Sequence, residues 1–282
     1  MSIGMNKRRK IWLSVGAFML TGGAAAVAAE PTRAVSRVDE QGLVASTLDR
    51  TAIDNVWAQG GEGGEGGINL ETVAEDPAEY AMALQVIAAH YDAGLAAYAG
   101  GEREAGAQMF AHGLSEIYAV MDELFKRLGA NALGKSLEAA VAAAADNKPV
   151  GDVRRHVEAV RTALRDALRR GPQSQSPTRM QAFLVGELLE RAAAQYSVAL
   201  KDPTLEPFLD GLGFALAAKR EAAPMLASLR KSDQQAATAL DYALKLALRA
   251  YPGVKRPSRN VVPEQEFLVA ASRARLAVSA YR

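Results

Sequence analysis

Residues 76–128, DPAEYAMALQVIAAHYDAGLAAYAGGEREAGAQMFAHGLSEIYAVMDELFKRL, decide how the chain is read. Asp76-Pro77 is a helix start, a capping carboxylate followed by a residue that has no N–H to leave unsatisfied. Tyr80, Leu84, Ile87, Tyr91 and Tyr98 then recur at the 3.6-residue period, which predicts an amphipathic helix. Gly100-Gly101 marks a tight turn. Phe110, Leu114, Ile117, Met121, Leu124, Phe125 and Leu128 form the apolar stripe of a second helix packed back on the first.

The same hairpin carries two of the chain's three histidines, His90 and His112. His90 falls at the edge of the first helix's apolar face, with Glu79 and Val86 on its flank. His112, Glu116 and Glu123 fall opposite the stripe of the second helix. A histidine and a glutamate four residues apart can share one metal ion or one hydrogen bond. On an uncovered face the expectation is a solvated pair; beneath another element it is a ligand pair. Facing helices can bring His90, His112 and glutamates together, as bundle metal sites do. The candidate metal ligands are therefore His112 and Glu116, with His90 and Glu79 as partners. No cysteine is present, so thiolate ligands, disulfides and a lipidated cysteine are all excluded.

Residues 1–29 read as an export leader: Lys7, Arg8, Arg9 and Lys10, an apolar run from Ile11 to Leu20, then Val27-Ala28-Ala29 before a cleavage site. Met5 is an alternative start, and Arg8-Arg9 leaves twin-arginine export open beside the general route. The expected location is the periplasm of a Gram-negative cell, with no membrane insertion once the leader is removed. The net charge is +1, and the leader holds four cations and no acid, which leaves about −3 for the rest. That balance speaks against nucleic acid as a partner. Aromatics are only 6% of the residues, and alanine-rich helical stretches far outnumber strand-like runs. Residues 30–75 are polar, with a short helix expected over 43–57 and a Gly/Glu linker at 60–67, and read as a disordered arm.

The expected fold is all-α, an antiparallel bundle of about seven to eight helices in two halves, 76–171 and 177–282. Gly171-Pro172 to Ser176-Pro177 is the break between them. In the first half a third helix covers about Asn131–Ala145, and Asp152 is the expected cap of a fourth, with His156 at the edge of its core face. In the second, Met180–Leu200 is a helix, Asp202-Pro203 starts another, and Pro224 is expected to break or kink that second one. Ser232 is expected to cap a helix ended by Pro252-Gly253, and Pro263 to open the last. Residues 88–95 and 193–200 echo each other, with Gln195 in the place of His90.

Gly129 to Ser136 fits the phosphate-loop pattern GxxxxGK[ST], yet a helix precedes it where that chemistry needs a buried strand, so no nucleotide is expected. Ser115, between His112 and Glu116, has neither a nucleophile elbow nor an oxyanion hole.

Two resemblances bear on function. Gly94, Tyr98, Gly101, Phe110 and Leu114 resemble one tetratricopeptide unit, which implies a helical interaction module without a ligand. Residues Tyr80 to Leu168 are similar in cadence to the extracytoplasmic helical region of bacterial high-affinity iron permeases, and distantly to imelysin-like periplasmic proteins of iron uptake. The imelysin pattern GxHxxE becomes Ala111-His112-Gly113-Leu114-Ser115-Glu116 here, with the glutamate one place late. The permeases' Arg-Glu-x-x-Glu signature and membrane helices have no counterpart. The resemblance implies a non-enzymatic helical bundle that handles iron or another divalent metal. It also implies a membrane iron transporter or another periplasmic protein as partner.

Overall fold

Asp76 caps the first helix as its sequence predicts. In the computed structural model, which describes residue 69 and residues 72–282, its Oδ1 accepts from the amides of Ala78 (2.8 Å) and Glu79 (3.2 Å). The leader, the short helix over 43–57 and the Gly/Glu linker lie outside the described residues. Helix α1 (Pro77–Ala99) ends at Gly100. Gly101, at φ +99°, lets the chain reverse. The amides of Gly101 and Glu102 return to the carbonyls of Tyr98 and Ala97, a Schellman closure.

The chain continues through α2 (Arg103–His112), a π-helical segment (Gly113–Tyr118) and α3 (Ala119–Arg127) as one rod. Then come α4 (Ala132–Ala145), α5 (Val150–Arg170), α6 (Pro177–Ala199), α7 (Glu206–Ser232), α8 (Gln234–Ala250) and α9 (Glu264–Val278), with a short 3-10 turn, Ser279–Tyr281, at the end. With α2 and α3 taken together, the described residues form eight helices and no strand. None of these helices is long and apolar enough to cross a membrane.

The expectation of an amphipathic first helix is corrected. Tyr80, Ala81, Ala83, Val86, Ala89 and Tyr91 are all buried, and they point in every direction round the α1 cylinder. The reason is packing on three sides, by α2, α5 and α7. A helix apolar all round belongs inside, and the alanines of α1 keep it thin enough for three neighbours. One continuous apolar cluster runs from Val73 to Val278 through both helical halves.

Small residues set the close crossings. A Cβ on Gly106 would lie 2.6 Å from the Gly94 carbonyl oxygen and 2.7 Å from the Tyr98 amide nitrogen, so α2 lies directly on the α1 backbone. A Cβ on Gly213 would meet the Ala89 carbonyl oxygen at 2.5 Å, so α7 does the same on another face. Tyrosines fill the core and spend their hydroxyls on distant carbonyls: Tyr80 on Ala167, Tyr98 on Lys148, Tyr196 on Val262 and Tyr251 on Ala192. Asp92 of α1 is buried between two arginines: Arg161 of α5, at 2.6 Å and 3.1 Å, and Arg220 of α7.

Several local expectations change. Helix α5 begins at Val150 after Pro149, and Asp152 sits in its first turn paired with Arg155 (2.6 Å) rather than at the cap. Asp233, not Ser232, caps α8, its Oδ1 accepting from the Ala236 amide at 2.9 Å; Ser232 is the last residue of α7. Asp202 caps a turn at Thr204 (2.7 Å), and α7 starts later, at Glu206 with Pro207 in its first turn. Pro224 does not end α7, which runs through it. Pro224 is exposed, and it offers no N–H to the Arg220 carbonyl one turn back. Gly134, Lys135 and Ser136 are inside α4, and the Ser136 hydroxyl donates to the Ala132 carbonyl at 2.9 Å.

Candidate metal centre

Three elements bring the site together. Helix α1 carries His90 inward, the end of α2 carries His112, and the π segment carries Glu116. A π turn closes i→i+5 bonds and inserts a residue relative to the α register, so it re-aims the side chains around it. Gly113 opens that turn. A Cβ there would come within 3.0 Å of the Tyr91 ring and 3.1 Å of the His90 Cβ, so glycine lets the segment press against α1 at the level of the histidine.

One ligand atom each from His90, His112 and Glu116 lies within 4.8 Å of the other two. The imidazole centroids of His90 and His112 are 6.4 Å apart, with ring planes 70° to each other. Three of the four residues expected from the sequence therefore converge. The fourth, Glu79, does not. It lies eleven residues before His90, about 16 Å along the helix axis, and pairs with Arg282 at 2.7 Å. His156 stands apart on α5, half-buried.

The solvated placement expected for His112 and Glu116 is also corrected. Both are half-buried, because the N-terminal turns of α7 pack over the end of α2. Those turns add two acids that sequence reasoning missed. Asp210 is buried, with Oδ1 3.8 Å from His90 Nε2. Glu206 is half exposed, with Oε1 3.5 Å from His112 Nδ1. A signal for Asp210 was available: it is the single charge in the apolar run Phe208-Leu209-Asp210-Gly211-Leu212-Gly213-Phe214, and a buried carboxylate needs a positive or proton-donating companion.

The protonation of His90 is set by its surroundings. The Val86 carbonyl lies 2.8 Å from Nδ1 and can only accept, so Nδ1 carries the proton. Burial pushes the pKa down to about 4, the Val86 hydrogen bond opposes that shift and the nearby His112 adds to it. At neutral pH the ring is thus uncharged, and Nε2 presents a lone pair. Nε2 is buried and makes no hydrogen bond; the same holds for His112 Nδ1. The Nε2 lone pair faces the Asp210 side chain across 3.8 Å, and a cation between the two would be ligated by both. The Nδ1–H to backbone carbonyl bond is also the usual support of a ligating histidine, since it fixes the ring and raises its basicity.

Two imidazoles and a carboxylate, with further carboxylates at the rim, match the donor set of borderline divalent ions such as iron(II) or zinc(II). Ser115 donates its hydroxyl to the Ala111 carbonyl at 2.9 Å, a local helix bond. Comparison of the chain with protein-family models, with characterised proteins and with solved structures returns no match.

Proposed function

We propose that this protein binds a divalent transition-metal ion, iron foremost, through His90, His112 and Glu116, and serves in metal handling outside the cytoplasm without catalysing a reaction. The observation that carries the reading is the buried lone pair of His90 Nε2, held by the Val86 carbonyl on its far side and turned toward His112, Glu116 and Asp210. The donor set admits iron and zinc alike, and iron is favoured by the resemblance of residues 80–168 to the helical region of iron permeases. The charged and apolar start of the sequence supports the extracytoplasmic setting. A membrane iron transporter is the partner this reading calls for.

Anaerobic calorimetric titration with iron(II), and parallel titrations with zinc(II) and manganese(II), test it. One ion per chain is expected, with affinity falling by about 100-fold or more in His112→Ala, since a lost ligand costs at least as much as a lost supporting group. A chain that gives no binding heat and no thermal shift with any of the three ions is a helical interaction module without a ligand, and the metal reading is then wrong.

A further inference from the structure

A polar cavity lies on the other side of the first turns of α7. Its volume is about 220 Å³, and it is walled by Tyr196, Leu200 and Phe208 beneath the loop that joins α8 to α9. The loop side is of different chemistry: Arg256, Ser258, Arg259 and Asn260 all line the cavity. That volume equals the liquid share of about seven waters, which is room for a small ligand and little more.

Arg256 differs from the other half-buried arginines that hold a carboxylate. Arg161 and Arg220, half-buried like Arg256, both grip Asp92. Arg256 and Arg259 have no carboxylate within 4 Å among the described residues. Arg256 Nη2 is buried and donates to no protein acceptor. Asp202, the acid that feels the charge of Arg256, spends its Oδ1 on the Thr204 amide. A buried guanidinium N–H without a protein acceptor is costly, and at the wall of a polar cavity a water or an anion can satisfy it. A fork of planar donors at a polar cavity is suited to an oxygen-bearing anion.

We infer that the cavity between Phe208 and the α8–α9 loop is a binding site for a small oxyanion, of phosphate or short-chain carboxylate class, held by Arg256 and Arg259. Arg256 supplies the inner cationic contact, and Arg259, exposed at the mouth, closes on the outer oxygens. Ser258 and Asn260 add neutral donors. The site is independent of the histidine cluster, since none of its lining residues belongs to that cluster.

Calorimetric titration of the full chain with inorganic phosphate, and separately with malonate, tests this, with chloride added to constant ionic strength. Saturable binding with Kd of about 1 mM or tighter is expected from at least one probe, and the stronger probe tells phosphate from carboxylate. Arg256→Gln abolishes the saturation, Arg259→Gln weakens it about 10-fold, and Lys255→Gln, which removes a neighbouring charge outside the cavity, leaves it unchanged. Arg256→Lys keeps the charge but loses the fork, and serves as the inner-contact variant if the glutamine form does not fold. No saturation with either probe overturns the inference. So does an equal loss in Lys255→Gln, which would reduce the effect to diffuse attraction.

Discussion

Replacing Asp92 by alanine should be among the most damaging single-carboxylate losses in the molecule. The Asp92 side chain is 5% exposed, while its partners Arg161 and Arg220 are 30% and 36% exposed. Removing one member of a fully buried pair costs about 3–5 kcal/mol, because the remaining charge is stranded. Here the two guanidiniums keep partial access to water, so the expected loss is discounted to about 2–3 kcal/mol. In a domain of this size that lowers Tm by about 5–10 °C. The substitution also releases the one carboxylate through which α1 holds both α5 and α7. Urea unfolding monitored by far-UV circular dichroism gives the number directly. Asp241→Ala, which removes the surface pair with Lys245, is the reference and should cost less than about 0.5 kcal/mol. A loss at Asp92 below about 1 kcal/mol, or no greater than the surface reference, would refute the assignment of α1 as a helix gripped from both sides.

In metal-free protein, stability should fall as pH drops from about 6.5 to about 4. His90 is held down to about 4 by burial, so in that window the unfolded chain binds a proton that the folded chain refuses. The full loss is about 3 kcal/mol, and His90→Gln should flatten the slope in urea titrations across that range. Gly106→Ala places a methyl 2.6 Å from the Gly94 carbonyl oxygen and must part α1 from α2. About 1–3 kcal/mol of destabilisation is expected, read as a lower Tm. Pro224→Ala restores an amide to the middle of α7 at an exposed position and should stabilise by about 1 kcal/mol or more, with the helical circular dichroism signal preserved or raised.

The helices were largely legible because the chain punctuates them with strong local chemistry. Asp76-Pro77, Gly100-Gly101, Gly129 and Pro263 each act within a few residues, and each marks a boundary in the structure. Breaking and kinking were both open at Pro224, and the helix runs through it, because an exposed proline removes one backbone bond without disturbing the core. Asp152 and Ser232 misled for a smaller reason: several residues near a helix start can cap it, and backbone dihedrals select among them. In the site, His112 and Glu116 were legible from their spacing. Their surroundings were not, because α7 returns to cover them from about ninety residues further along the chain. Glu79 was drawn in by sharing a flank with His90, and periodicity says nothing about the three helical turns between them. The π segment left no trace in the apolar pattern, because Ile117 within it and Met121 beyond it both stay buried.

The metal site depends on α1 delivering a neutral, oriented imidazole to a second imidazole and a carboxylate. X-ray absorption spectroscopy of the iron(II)-loaded protein counts the ligands around the ion. Two imidazole nitrogens are expected in the first coordination sphere together with oxygen donors, falling to one imidazole in His90→Gln. A sphere made of oxygen alone, or one unchanged by His90→Gln, would contradict that arrangement.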